Sequence, residues 1–229
     1  MESTRNVMKQ LEVLYEDNLC IVINKPAGLP VQGGKGISVS LDSILMEYWP
    51  DRPLLVHRLD RDTSGIILAA KTKAAAAGFS RLFAGKGVIK QYHAICRGKP
   101  DKPEGTINHN LTIRGLEKKS ETRFKLVSCC SGDNEYSLLE LELASGRMHQ
   151  IRRHLALAGN PVLGDDKYGD FHLNRSLCKT YKLKRLLLHA CRLVIPQTPD
   201  SKRLEINAPL PEHFLQFMRV VDIPAAFFP

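Results

Sequence analysis

The sequence predicts an α+β protein, and three observations carry that expectation. Strand-type and helix-type segments alternate irregularly along the chain. Two apolar runs, Leu54-Leu55-Val56 and Ile66-Ile67-Leu68-Ala69-Ala70, bracket a polar turn as strands flank a loop. Other segments carry a helical period ended by glycine or proline, as at 40–50, 73–85 and 147–161.

In chain order, residues 1–10 are polar and read as a short frayed start. Leu19 to Ile23 is apolar and β-branched, a strand that ends in the turn Asn24-Lys25-Pro26-Ala27-Gly28. Gln32 to Gly36 is a glycine-rich loop without the spacing of a phosphate-binding P-loop. Ser40 is a helix cap for an inward stripe of Leu41, Ile44, Leu45 and Tyr48, stopped by Pro50. After the polar turn, a helix spans about 73–84 and ends at Gly85. Residues 88–97 form a strand with Lys90, Tyr92 and Ala94 on one face and Ile89, His93 and Ile95 on the other. Gly98 to Gly105 reads as a loop. Strands follow near 122–128 and 136–143, the latter from the alternation of Leu139, Leu141 and Leu143 with Glu140 and Glu142.

A helix is expected over 147–158, with Met148, Ile151, Leu155 and Ala158 as its apolar stripe. At 100° per residue Arg152 falls on the edge of that stripe and therefore needs a carboxylate partner, while Arg153 turns away. Residues 170–192 are the most basic stretch, readable as a solvated loop or as a surface that tracks phosphates. Leu186 to Ala190 returns to the core as a strand.

The chain has 229 residues, 43% of them apolar, enough for a substantial core. Lys and Arg number 33 against 24 acids, a net charge of +9 that favours a polyanionic partner, most often nucleic acid. The six cysteines form no C-x-x-C pair, so they read as reduced thiols of a cytosolic protein. No apolar run reaches membrane-spanning length, and Met1 to Gln10 is too polar for a signal peptide.

The densest chemistry lies in His57-Arg58-Leu59-Asp60-Arg61-Asp62-Thr63-Ser64-Gly65. A carboxylate at a strand end flanked by arginines is held ionised and oriented, as a nucleophile or base must be. Three readings compete. Asp60 is the nucleophile of an enzyme that acts on a nucleic-acid base. Alternatively, Asp60-Arg61-Asp62-Thr63 is the D-x-D-x-T of a magnesium-dependent phosphatase, with Asp165, Asp166 and Asp170 at the metal. In the third, the turn is structural and Asp60 caps backbone amides.

Six pieces of sequence, the turn itself among them, bear on that choice. Asn24-Lys25-Pro26 with Gly28, His57-Arg58-Leu59-Asp60 with Thr63-Ser64-Gly65, and Lys90, Tyr92, Ala94 and Gly98 occur in that order. Gly146-Arg147 with His149-Gln150-Ile151-Arg152 and His154 follows, then Gly164 to Gly169, then Arg185 to Ala190. Together they resemble the RluA-type RNA pseudouridine synthases over about residues 12–196. The resemblance implies a single catalytic domain over 1–229, with a family-like core at about 12–220. Its fold would be a mixed, largely antiparallel curved sheet with flanking helices. The implied reaction isomerises uridine to pseudouridine without a cofactor or metal.

It also implies the site. Asp60 is the essential carboxylate, Arg152 its charge partner, and Tyr92 the ring that stacks on the extruded uracil. Arg58 holds the nucleotide pocket open, Leu188 is an apolar wall beneath the base, and Lys25 and Lys90 contact RNA or orient loops. His57 and His154 are hydrogen-bonding scaffold rather than metal ligands. Many relatives carry a small RNA-binding domain before the N-K-P element, which is not expected here. Large-subunit ribosomal RNA is the favoured partner and transfer RNA the second, for a cytoplasmic monomer. A non-enzymatic RNA-binding or ribosome-assembly factor on the same fold is the remaining alternative.

Overall fold

The computed structural model describes residues 11–85, 87–113, 115–130, 135–143, 146–198 and 202–224. The frayed start expected at 1–10 lies outside them. The fold is α+β, with a large, mostly antiparallel sheet. Its backbone divides into two compact units: Met1–Ile89 with Ala190–Ala208, and Lys90–His189 with Pro209–Pro229.

In the first unit, β1 (Glu12–Glu16) and β2 (Cys20–Lys25) form an antiparallel pair, and β2 pairs in the same sense with β4 (Ser64–Ala70). The short β3 (Leu54–Leu55) lies beside β4. β11 (Leu188–Ile195) follows β4 in the strand order, and β12 (Leu204–Asn207) pairs with β11. All seven residues of β4 are buried, as its unbroken apolar run requires. α1 (Leu41–Tyr48) starts at Ser40 through a reciprocal capping box with Ser43 and buries Leu41, Ile44 and Leu45. α2 (Lys73–Ala84) is capped by Thr72 and ends at Gly85, at the predicted bounds. Its Phe79 packs into a core with Val22, Ile66, Leu68 and Leu193.

In the second unit the order is β5 (Ile89–Arg97), β10 (Tyr136–Leu143), β9 (Thr122–Cys129) and β6 (Glu104–Ile107), all antiparallel. A small hairpin joins β7 (Leu111–Ile113) to β8 (Leu116–Lys118). Three helices accompany these strands: α3 (Gln150–Leu157), α4 (Phe171–Tyr181) and α5 (Glu212–Val220). Phe214, Phe217 and Met218 of α5 fill a core with Ile95, Leu138, Leu163 and Leu187.

Three sequence expectations need correction. The predicted helix at 147–158 begins only at Gln150, because His149 adopts left-handed backbone (φ 53°). Met148 is therefore exposed, as is Ala158, and the buried face is Gln150, Ile151, Arg152, His154 and Leu155. The Gly98–Gly105 loop runs into β6 at Glu104. The basic stretch at 170–192 is not a loop at its start: α4 occupies Phe171–Tyr181, anchored by buried Leu177 and capped by Asp170. Lone apolar residues spaced among cations gave that helix too faint a period to read.

Candidate active site

In the first unit, the N-K-P-x-G and H-R-L-D elements form one knot. The Lys25 side chain is fully buried, and its ammonium donates to the carbonyls of Pro26, Leu29 and Arg61, each at 2.9 Å. The Gly28 amide donates to the same Arg61 carbonyl at 2.9 Å, and Arg61 Nε returns a bond to the Gly28 carbonyl at 3.2 Å. A primary ammonium has three donors, and here each has a carbonyl acceptor. Of the two roles expected of Lys25, contact with RNA or orientation of loops, these bonds fit the second: it clamps the backbone immediately after Asp60.

The other side of the turn is equally fixed. His57 Nε2 accepts from the Leu68 amide at 2.9 Å, and its ring stacks on Phe83 with centroids 4.3 Å apart. Leu59, Thr63 and Ser64 are buried. Gly65 has φ +109°, and a Cβ there would lie 2.2 Å from the Ala190 carbonyl oxygen, so no other residue fits. Between these anchors Asp60 is half-buried and Arg58 exposed. A carboxylate held on rigid backbone but still reachable is the arrangement a reacting group needs.

In the second unit, Tyr92 lies on β5 opposite Leu141 and is 8% exposed. Lys90, on the same face, is partly buried, and that burial pushes its ammonium pKa down. Leu188 is buried at the start of β11.

Arg152 on α3 is 4% exposed, as an arginine at the edge of an apolar stripe must be when it finds a partner. That partner includes Asp165, itself 1% exposed. The pair is bidentate: Nε to Oδ2 at 2.8 Å and Nη2 to Oδ1 at 2.7 Å. Asp166 adds a contact at 3.2 Å, and the guanidinium lies 5.4 Å from the Tyr168 ring centroid. Tyr168 in turn bonds His149 Nδ1 at 3.1 Å. Asp165 also accepts from the amides of Lys167 and Tyr168, both at 2.9 Å. Burial works to raise the Asp165 pKa, but the bonds from Arg152 and the two amides, with the arginine's charge, bring it below the ordinary carboxylate value.

The role of Asp165 was missed in the sequence. The signal was there: a buried arginine on α3 demands an acid, and the G-D-D element offers one. The same bonds answer the phosphatase reading. Asp165 is committed to Arg152, while Asp170 caps α4 through the Leu173 amide and pairs with Arg97 at 2.7 Å. His154 is scaffold, bonded to Thr122 Oγ1 at 2.9 Å and to the His109 carbonyl at 3.0 Å. Gln150 ties the start of α3 to β9 through the Glu121 carbonyl and Thr122.

The sequence model of a family described as RNA pseudouridylate synthase matches residues 19–157. The chain is 38% identical over 216 residues to the ribosomal large subunit pseudouridine synthase C of Rickettsia prowazekii, covering 88% of this chain and 69% of that protein. It is 34% identical over 215 residues to the protein of that name in Vibrio cholerae, covering 89% and 67%. Among solved structures, human RNA pseudouridylate synthase domain containing 4 superposes with a TM-score of 0.79 at 25% identity, covering 97% of both chains.

Proposed function

Because the chain belongs to the RNA pseudouridylate synthase family, a family of isomerases, we propose that it converts a specific uridine of large-subunit ribosomal RNA to pseudouridine. The bond from N1 of uracil to C1′ of ribose breaks, the base turns, C5 bonds to C1′ and gives up its proton, and N1 takes up a proton. Atoms are conserved and no redox change occurs. The observation that carries the reading is the intact H-R-L-D turn within a chain that matches those relatives over most of its length. The choice of ribosomal over transfer RNA rests on the names of the relatives.

In this reading Asp60 is the reacting carboxylate. A uridine must leave its stack to reach it, at a cost of about a few kcal/mol. Tyr92 recovers part of that by stacking on the base. Arg152 supplies the counter-charge to Asp60, Leu188 the apolar wall, and Arg58 the side chain that keeps the pocket open. Lys90 meets a nucleotide phosphate; a partly desolvated ammonium gains more from a dianionic or anionic ligand than a hydrated one does.

The test is pseudouridine mapping of ribosomal RNA from cells with and without the gene, together with a purified assay. One or more large-subunit positions should lose pseudouridine without the gene. Asp60→Ala should abolish isomerisation while leaving RNA affinity within about threefold, since the change removes a reacting group rather than a phosphate contact. Pseudouridine formation by Asp60→Ala overturns the assignment, and loss of modification confined to transfer RNA overturns the choice of substrate.

A further inference from the structure

Helix α4 and the turn after it hold a charge pattern that nothing in the isomerisation uses. Between Phe171 and Arg185 there are five cations, Arg175, Lys179, Lys182, Lys184 and Arg185, and no acid. All five are exposed. Among the described residues none of them pairs with a carboxylate, although the chain pairs many of its other arginines, such as Arg97, Arg123, Arg192 and Arg203. On a helix of 100° per residue, Phe171, Arg175 and Lys179 fall within about 80° of one another. Leu177, the buried anchor, lies on the opposite side. Phe171 stands at the head of this stripe, 61% exposed.

We propose that this stripe is a second RNA contact, distinct from the reacting residues, that grips the phosphate backbone of the substrate and stacks Phe171 on an unpaired base. The inference rests on the reading that the substrate is RNA. Like charges crowded along one short exposed segment repel one another, and a polyanion relieves that repulsion while it releases counterions. An aromatic ring among the cations fits a partner with both phosphates and base faces. An anionic membrane fits less well. The helix has eleven residues, its apolar anchor points into the protein, and one exposed ring is too little apolar area for insertion.

The test compares wild-type protein with the triple variant Arg175→Gln, Lys179→Gln, Lys184→Gln on a large-subunit ribosomal RNA fragment. Glutamine keeps helix propensity. A second triple variant, Lys99→Gln, Lys102→Gln, Lys118→Gln, removes equal charge from exposed positions elsewhere in the same unit. The α4 variant should raise KM about tenfold with kcat unchanged. It should also make the dependence of log affinity on log salt shallower by about two. Phe171→Ala alone should raise KM about threefold or more without altering that salt slope. An unchanged KM, an equal effect from the control variant, or a fall in kcat at constant KM overturns the proposal. So does binding of wild-type protein to phosphatidylserine vesicles that the α4 variant loses while its RNA affinity is kept. If wild-type protein makes no pseudouridine in ribosomal RNA, the functional reading fails instead, and the salt slopes still decide the surface.

Discussion

Arg152 is a charge that folding removes from water, and Asp165 makes that tolerable. Removing one member of a buried, bidentate pair leaves the other uncompensated, which costs about 3–5 kcal/mol. Asp165→Asn should therefore destabilise the protein by about 3 kcal/mol in urea unfolding. If Arg152 is the counter-charge of Asp60, it should also lower kcat about tenfold or more at nearly constant KM. A destabilised variant with wild-type kcat would confine Asp165 to the scaffold. Lys25 presents the mirror case, a buried ammonium among three carbonyls. Lys25→Met keeps the volume and leaves those acceptors without their donor, at about 2–4 kcal/mol. Its activity loss should exceed its loss of RNA binding, because the clamp holds the backbone beside Asp60 rather than RNA.

At the scale of elements, the close approach of Gly65 to Ala190 adds to the Lys25 clamp and the His57 bond in fixing the turn between β3 and β4. Gly65 has a backbone that favours glycine and no room for a methyl group against Ala190. Gly65→Ala should destabilise the protein by about 4 kcal/mol or more, or prevent soluble expression. A Tm within a few degrees of wild type would contradict it. Gly164 repeats the logic: it has φ +74°, and a Cβ there would lie 2.2 Å from the Arg185 carbonyl oxygen. In each case the glycine of a short motif is explained by what it packs against. By contrast, α3 begins one residue after a left-handed His149 that has no side-chain cap. Its start is set by Gln150 bonding to Glu121 and Thr122, contacts from 28 and 29 residues away.

For the whole molecule, stability should form a plateau that falls away on both sides. His93 is buried, and its pKa is pushed down to about 4 from 6.5 by desolvation. The folded protein keeps this ring neutral, while the unfolded chain takes up a proton near 6.5, so stability falls as pH drops from about 6.5 to 4. Asp165 acts in the same direction: its contribution is present above the ordinary carboxylate value and is lost as pH falls through its depressed one. On the alkaline side the Cys20 thiol is pushed up to about 12 by burial, so stability declines above about 9. Urea midpoints measured from pH 4 to 10 should be flat between about 6.5 and 9. His93→Gln should flatten the acid slope, and a wild-type midpoint that is level from pH 7 to 4.5 would contradict the assignment. Among the described residues no helix is long and apolar enough to cross a membrane.

The sequence by itself determined what depends on neighbours along the chain. The Ser40 cap with Leu41, Ile44 and Leu45, the unbroken run of β4, and the Gly85 stop of α2 are local and were legible. The H-R-L-D turn and the K-x-Y strand were legible as motifs. The tertiary structure decided which distant groups satisfy one another: Lys25 with the Arg61 carbonyl, Arg152 with Asp165, Gln150 with β9. The physical reason is that burial is a property of the folded whole. A charge in the sequence shows that it needs a partner once desolvated, but only the packing that removes its water selects which carbonyl or carboxylate takes that place.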